Sequence, residues 1–288
     1  MKKTLTGMLT IAGLCSAASA QGVVAIQVCP AGSQAWSSTL PNVQPGSAFD
    51  VRFVAAYNGQ GFPLGLASLT LQPTVSSWDN TGTAPATDAL APLVNGGAGG
   101  NRSTPLGVVE DLPNLYGRIS PWGRALLTTT SFLRGHTHLN PAPMLPGTYL
   151  RIAQNHATSW IGGPGNTAGV FGIPIAQIND SGRLASDPAF NSQTSNLVLF
   201  KFKVPLSTDP APRTLSIDAP IDGFGNRNGS TGIPEIYWYS TMSEPVGTIR
   251  GGPPVIIPAS VHVNACTATR PADTSVLAGD TVKVKVVT

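Results

Sequence analysis

Three histidines lie close enough in the sequence to bind one metal ion. His136 and His138 are separated by a single residue, so both belong to the same face of a β-strand, and His156 is near enough to supply a third ligand. Zinc and copper accept imidazole ligands of this kind. No Asp or Glu occurs over 112–179, so an acidic ligand is not available locally. The alternative is that these are strand or loop histidines without a ligand.

Oxygen-bearing side chains crowd a second segment. Asp218, Asp222, Asn226 and Asn228 lie in the glycine-rich stretch 218–230. Calcium prefers carboxylate and amide oxygens completed by loop carbonyls. The spacing does not match an EF-hand, so the alternative is a loop whose Asx turns satisfy its own backbone. We predict no cofactor for the chain, with calcium bound by this segment as the alternative.

Aromatic and arginine side chains form a third set. Tyr116-Gly-Arg118 and Trp122-Gly-Arg124 repeat the same unit six residues apart, and Trp160 follows. Exposed aromatic rings stack on sugars, and the guanidinium group is a planar hydrogen-bond donor. We therefore treat these residues as candidate ligand contacts, with ordinary core packing as the alternative.

Familiar catalytic motifs are missing from the sequence. It contains no GxSxG, HExxH or P-loop pattern. This favours a non-catalytic role without deciding it. The alternative is a polysaccharide-acting enzyme with its site in 106–190.

Apolar residues alternate with polar ones in many segments, which predicts strands with one buried face. The chain has 288 residues, of which 41% are hydrophobic and only 11% are charged. Asn58-Gly59 follows a strong strand pattern and predicts a tight hairpin. We predict an all-β protein, an antiparallel β-sandwich or jelly roll with a long loop-rich insertion at 79–190. The predicted strands lie at 22–28, 50–57, 67–72, 147–153, 197–204, 214–219, 235–240, 246–250, 255–263 and 282–286.

The first twenty residues have the pattern of a secretory signal peptide. Lys2 and Lys3 precede an apolar stretch, and Ala18-Ser19-Ala20 matches a cleavage site. We expect a secreted protein, extracellular or periplasmic, with no membrane span. Its basic residues are scattered singly, which argues against a nucleic-acid partner.

Two cysteines remain after the predicted cleavage. Cys29 and Cys266 most simply pair in an oxidising compartment, and two buried thiols are the alternative. The predicted organisation is therefore a signal peptide at 1–20, one sandwich domain at 21–266, and a strand or tail at 267–288.

Three segments, 42–53, 66–71 and 197–204, resemble cohesin-like domains. They match a Pro-Gly-x-x-x-x-Val strand, the strand beside the first hairpin, and a later Phe-x-Val strand. The resemblance implies a jelly-roll sandwich, and some cohesin-like domains bind dockerin modules. Later runs, 222–227 and 256–263, are similar to exported proteins of planctomycete-type bacteria that carry a PEP-CTERM sorting segment. This chain has no Pro-Glu-Pro motif.

These observations predict a secreted, non-catalytic module for adhesion or matrix contact. Its partner would be an extracellular carbohydrate or protein, because loops on a rigid sandwich suit binding. A self-assembling surface protein is a further alternative, because low charge favours self-association.

Overall fold

The computed structural model describes just over half of the chain. The predicted signal peptide and the 267–288 tail lie outside its described ranges. Among the described residues, no helix is long and apolar enough to cross a membrane. The described residues are 22–59, 65–83, 85–93, 108–109, 111–119, 131–138, 147–156, 170–171, 173–176, 194–219, 236–239, 248–250 and 252–264.

All the regular secondary structure in these ranges is β-strand. The strands are β1 (Gly22–Pro30), β2 (Thr39–Val43), β3 (Ala48–Tyr57), β4 (Leu66–Leu71), β5 (Thr74–Ser76), β6 (Val108–Val109), β7 (Gly117–Ile119), β8 (Ser131–His138), β9 (Tyr149–His156), β10 (Val170–Phe171), β11 (Ile173–Ala176), β12 (Leu197–Pro205), β13 (Arg213–Asp218), β14 (Tyr237–Tyr239), β15 (Thr248–Arg250), β16 (Val255–Ile257) and β17 (Ala259–Val263).

Three sheets form from these strands. The six-stranded sheet has the order β16-β1-β3-β12-β7-β6, and the seven-stranded sheet has the order β10-β9-β5-β13-β17-β2, with β8 also paired to β9. A four-stranded sheet has the order β11-β4-β14-β15. Most pairs are antiparallel, whereas β1–β16, β2–β17 and β6–β7 are parallel. Between β16 and β17 the chain passes from one large sheet to the other at Pro258, which has no N–H to continue a ladder.

All three sheets contribute to one hydrophobic core. The six-stranded sheet supplies Phe53 and Phe202, the seven-stranded sheet supplies Ile152 and Val261, and the four-stranded sheet supplies Trp238. The alternation in the sequence explains this, because every second side chain of a strand shares one face. The predicted all-β, antiparallel sandwich is thereby confirmed.

The predicted 79–190 insertion contributes strands to every sheet. Its described residues include β6 to β11. Of these, β7 pairs with β12, β9 with β5, and β11 with β4. The boundaries of the domain stay a prediction.

The predicted hairpin at Asn58-Gly59 is wrong. β3 pairs on its two edges with β1 and β12, whereas β4 pairs with β11 and β14 in another sheet. Because both edges of β3 are occupied by strands distant in sequence, the strand that follows it cannot fold back beside it.

A buried carboxylate fastens the loop between β5 and β6, which we call the 77–93 loop (described except for residue 84). The Asp88 side chain is fully buried and forms a bidentate ion pair with Arg213, with N···O distances of 2.6 and 2.7 Å. It also accepts hydrogen bonds from the backbone N–H groups of Asp79 and Ser207, at 2.8 and 2.9 Å. Four donors therefore compensate the burial of one charge.

The 77–93 loop buries its large apolar side chains. Trp78 and Leu93 belong to the hydrophobic core, and Leu90 packs against it. The backbone of Ala89 and Ala91 donates hydrogen bonds to Pro205 and Lys203 of β12. The loop thus completes the core along one strand.

Candidate binding surface

The six-stranded sheet turns one face away from the hydrophobic core, and we call it the outer face. Strand register arranges its side chains in rows that cross the sheet, since paired residues point to the same side. Two rows are apolar and two are polar. The apolar rows are Val255–Val23–Ala56 and Ile257–Ala25–Val54–Val198, and the polar rows are Gln27–Arg52–Lys201 and Cys29–Asp50–Lys203.

Asp50 ties two covering segments to the polar half of this face. Its side chain accepts a hydrogen bond from the Tyr116 hydroxyl at 2.9 Å and another from the Gly32 backbone N–H at 2.9 Å. Asp50 is only 5% exposed. Because a buried carboxylate requires such donors, the carboxylate and the two segments hold one another in place.

Lys201 fastens the segment before β7. Its buried ammonium group lies 2.8 Å from the Asp111 carboxylate and donates a hydrogen bond to the Leu112 carbonyl at 2.9 Å. The neighbouring Lys203 ammonium lies 5.3 Å from the centre of the Tyr116 ring, within range of a cation–π contact. Residues 111–116 are therefore attached to the sheet at both ends.

Between these attachments the chain forms a tight turn at 112–115, which we call the Leu turn. The Leu115 N–H donates to the Leu112 carbonyl at 3.4 Å. Pro113 and Asn114 occupy the central positions, and Asn114 has φ 65°. Proline followed by a residue of positive φ is typical of a type II turn. Leu112 and Leu115 are 47% and 37% exposed.

Trp36 and Arg52 form a stacked pair on the same face. The Arg52 guanidinium carbon lies 4.4 Å from the centre of the Trp36 ring system. Its Nε donates to Gln27 Oε1 at 2.7 Å, and the indole N–H donates to Gln34 Oε1 at 3.3 Å. Burial lowers the pKa of Arg52, and the charge of Asp111 opposes that effect.

The Cys29 thiol is buried beneath the 31–37 loop and is free in the structure. It donates to the Ser33 carbonyl at 3.2 Å. Burial, and secondarily the Asp50 charge, raise its pKa to about 11. A thiol of this kind is protonated and weakly reactive at neutral pH. Cys266 lies outside the described residues, so the Cys29–Cys266 disulfide stays a prediction.

Two residues of the predicted aromatic and arginine set are buried. Tyr116 is 8% exposed and Arg118 is 1% exposed. Burial and the hydrogen bond to Asp50 raise the pKa of Tyr116 above its ordinary value. These positions favour packing, the alternative in the sequence analysis. Trp122, Arg124 and Trp160 lie outside the described residues.

The predicted histidine site is not assembled by the strand register. His136 and His138 do lie on one strand, β8, which pairs with β9. However, His156 is paired with Ser131, five positions along β8 from His136. At about 3.4 Å per residue this separation is about 17 Å, too far for the three to bind one ion.

Within the described part of the chain, no group of three His, Cys, Asp or Glu side chains could hold a metal ion. Asp218 accepts a hydrogen bond from the N–H of the next residue, Ala219, at 2.7 Å. Its predicted calcium partners Asp222, Asn226 and Asn228 lie outside the described residues, so this site stays a prediction.

Sequence patterns alone did not single out Asp50, Lys201 or the Leu turn. Alternation in the sequence separates Asp50 and Lys201 from the apolar residues of their strands, but it gives no sign of what covers them. The dipeptide Pro113-Asn114 is the one local signal for the turn, because it fits the central positions of type II.

No family model and no curated protein matches the chain. Solved cohesin–dockerin complexes are among the structures similar to it. One is the third cohesin of ScaC in complex with the ScaB dockerin from Acetivibrio cellulolyticus, with 12% identity, a TM-score of 0.33 and coverage of 85% of this chain and 99% of that one. Another is the Coh-OlpA–Doc918 complex from Clostridium thermocellum, a type I cohesin–dockerin complex, with 8% identity, a TM-score of 0.32 and coverage of 83% and 99%.

Proposed function

We propose that the chain is a secreted, non-catalytic protein-binding module whose partner contacts the outer face. One observation carries the proposal. Four large hydrophobic side chains are exposed among the described residues, and all four lie on this face or on the Leu turn attached to it. They are Leu112, Leu115, Val255 and Ile257.

These side chains occupy the two ends of one surface. Val255 and Ile257 begin the apolar rows at the β16 edge, and the Leu turn is fastened through Lys201 near the opposite edge. Apolar groups rimmed by charge are typical of protein interfaces. The attachments at Asp50 and Lys201 fix the turn before binding, which lowers the entropy lost on association.

A protein partner suits this surface better than a sugar. The predicted sugar contacts Tyr116 and Arg118 are both buried. The most exposed apolar side chains of the face are aliphatic and pack against a protein, and the ring of Trp36 is already in contact with the Arg52 guanidinium. Secretion is supported by the signal-peptide pattern at 1–20, and the resemblance to cohesin-like domains implies the same class of role.

The test replaces Leu112 and Leu115 together by Ser. The wild-type chain captures its partner from the extracellular fraction of the source culture, and the partner is identified by mass spectrometry and then purified. We expect the Leu112→Ser, Leu115→Ser variant to bind that purified partner at least tenfold more weakly, because the interface would bury much less apolar surface.

Ser216→Ala is the matched control, since Ser216 is exposed on the seven-stranded sheet. It should bind as the wild type does. Equal binding by all three proteins would contradict the proposal. If sedimentation instead shows a wild-type homodimer that the double variant abolishes, the face is a self-association surface and the proposed partner is wrong.

A further inference from the structure

We propose that Arg52 is the subsite for a carboxylate of the partner, so that the partner segment carries an Asp or Glu beside apolar residues. The inference rests on the proposed function and names the chemistry that the outer face would recognise.

Arg52 is held rigidly, yet its terminal donors are available. The guanidinium carbon lies 4.4 Å from the centre of the Trp36 ring, and Gln27 accepts the Nε–H. Among the described residues, no hydrogen bond or ion pair involves the two terminal nitrogens of Arg52. A guanidinium fixed in this way presents a planar pair of N–H donors, the geometry that matches a carboxylate.

The charge of Asp111 acts on Arg52, but the hydrogen bonds and the ion pair of the nearby carboxylates are made with other groups. Asp50 accepts hydrogen bonds from Tyr116 and Gly32, and Asp111 is paired with Lys201. Both carboxylates are therefore engaged elsewhere. An incoming carboxylate would find its complement at Arg52, in a partly desolvated position where an ion pair is stronger than in water.

The position of Arg52 explains why the acid should adjoin apolar residues. Arg52 pairs across the strands with Lys201, whose ammonium holds the Leu112 carbonyl. On the other side, Trp36 covers the guanidinium. A segment bound over Arg52 thus meets an indole on one side and the Leu turn on the other.

The experiment titrates the ¹⁵N-labelled chain with acetyl-Leu-Asp-Leu-amide and with acetyl-Leu-Asn-Leu-amide, following the Arg52 Nε–H and Trp36 indole resonances. We expect the Asp peptide to bind about tenfold more tightly than the Asn peptide. Arg52→Gln should abolish this preference, and Arg52→Lys should reduce it, since an ammonium cannot form the paired contact.

Lys203→Gln is the control, because it removes one positive charge from the adjacent polar row. It also removes the contact to the Tyr116 ring, which should weaken the binding of both peptides by the same factor. It should retain most of the preference for Asp. Equal binding of the two peptides to the wild type, or equal loss in Lys203→Gln and Arg52→Gln, would overturn the inference.

The two proposals fail differently. Partner binding that depends on the Leu turn but not on Arg52 would leave the proposed function intact and contradict the carboxylate subsite. An Arg52-dependent preference for Asp, without any effect of the Leu turn on partner binding, would support the carboxylate subsite and contradict the proposed function.

Discussion

Two segments of the chain are fastened to β-strands by buried carboxylates, with opposite results for their apolar side chains. The 77–93 loop is held by Asp88 and turns Trp78 and Leu93 into the core. Residues 111–116 are held through Asp50 and Lys201, yet leave Leu112 and Leu115 exposed. Similar chemistry thus completes the core in one region and presents a surface in the other.

The difference lies in what each attachment stabilises. The Asp88–Arg213 pair is almost removed from water, with side chains 0% and 15% exposed, so its loss would leave a charge without compensation. The Lys201–Asp111 pair has one exposed partner, because the Asp111 side chain is 46% exposed. An ion pair with one exposed partner contributes little to global stability, so the Lys201–Asp111 pair acts mainly on the position of the Leu turn.

The largest predicted effect follows from removing the carboxylate of the 77–93 loop. Asp88→Ala should lower the free energy of unfolding by about 3–5 kcal/mol, because Arg213 and two backbone N–H groups lose their acceptor. Urea unfolding measures this. The exposed Asp209→Ala is the control and should change stability by less than about 1 kcal/mol. If the two substitutions had equal effects on stability, the buried Asp88 carboxylate would stabilise the fold no more than an exposed carboxylate does.

A smaller effect on stability is expected on the outer face. Tyr116→Phe removes one donor to the Asp50 carboxylate and should cost about 1–2 kcal/mol. It should also weaken binding of the purified partner, since the Leu turn loses one attachment. Asp88→Ala, studied below its own unfolding transition, should leave that affinity unchanged. A loss of affinity in Asp88→Ala but not in Tyr116→Phe would reverse the roles assigned to the two regions.

The strands were predictable because their pattern is local. In β3 and β12, Val51, Phe53 and Phe202 are fully buried, as the alternation along each strand indicates. The error at Asn58-Gly59 has the opposite cause. A turn signal specifies where the chain reverses, whereas the occupied edges of β3 depend on β1 and β12.

The outer face was unpredictable for the same reason. Alternation separates Asp50 and Lys201 from the core, but both are nearly buried. Their contacts to Tyr116 and Leu112 join residues 66 and 89 positions apart in the sequence. The distance of His156 from His136 was unpredictable in the same way, because nearness in sequence does not specify the register of β8 on β9.

Changes of pH should separate the two regions by the sign of their effect on stability. In the 77–93 loop, burial acts to raise the pKa of Asp79, but the Ser207 and Thr81 side chains and the Arg213 charge outweigh it, so the pKa lies below its ordinary value of 3.8. The stability that this provides is present above that value and is lost as pH falls below it. Asp79→Asn should flatten this acid limb of a stability–pH curve.

On the outer face the pKa of Cys29 is raised from 9.0 to about 11. A raised pKa provides stability that is complete below pH 9 and is lost as pH rises through 11, with a slope of at most about 1.4 kcal/mol per pH unit. Urea unfolding from pH 7 to 11 in reductant should show this decline, and Cys29→Ala should reduce it while Asp79→Asn does not. Without reductant, a Cys29–Cys266 disulfide would remove the thiol and its share of the decline. If Cys29→Ala in reductant showed the same loss of stability at alkaline pH as the wild type, the pKa of the Cys29 thiol would not be raised by its burial.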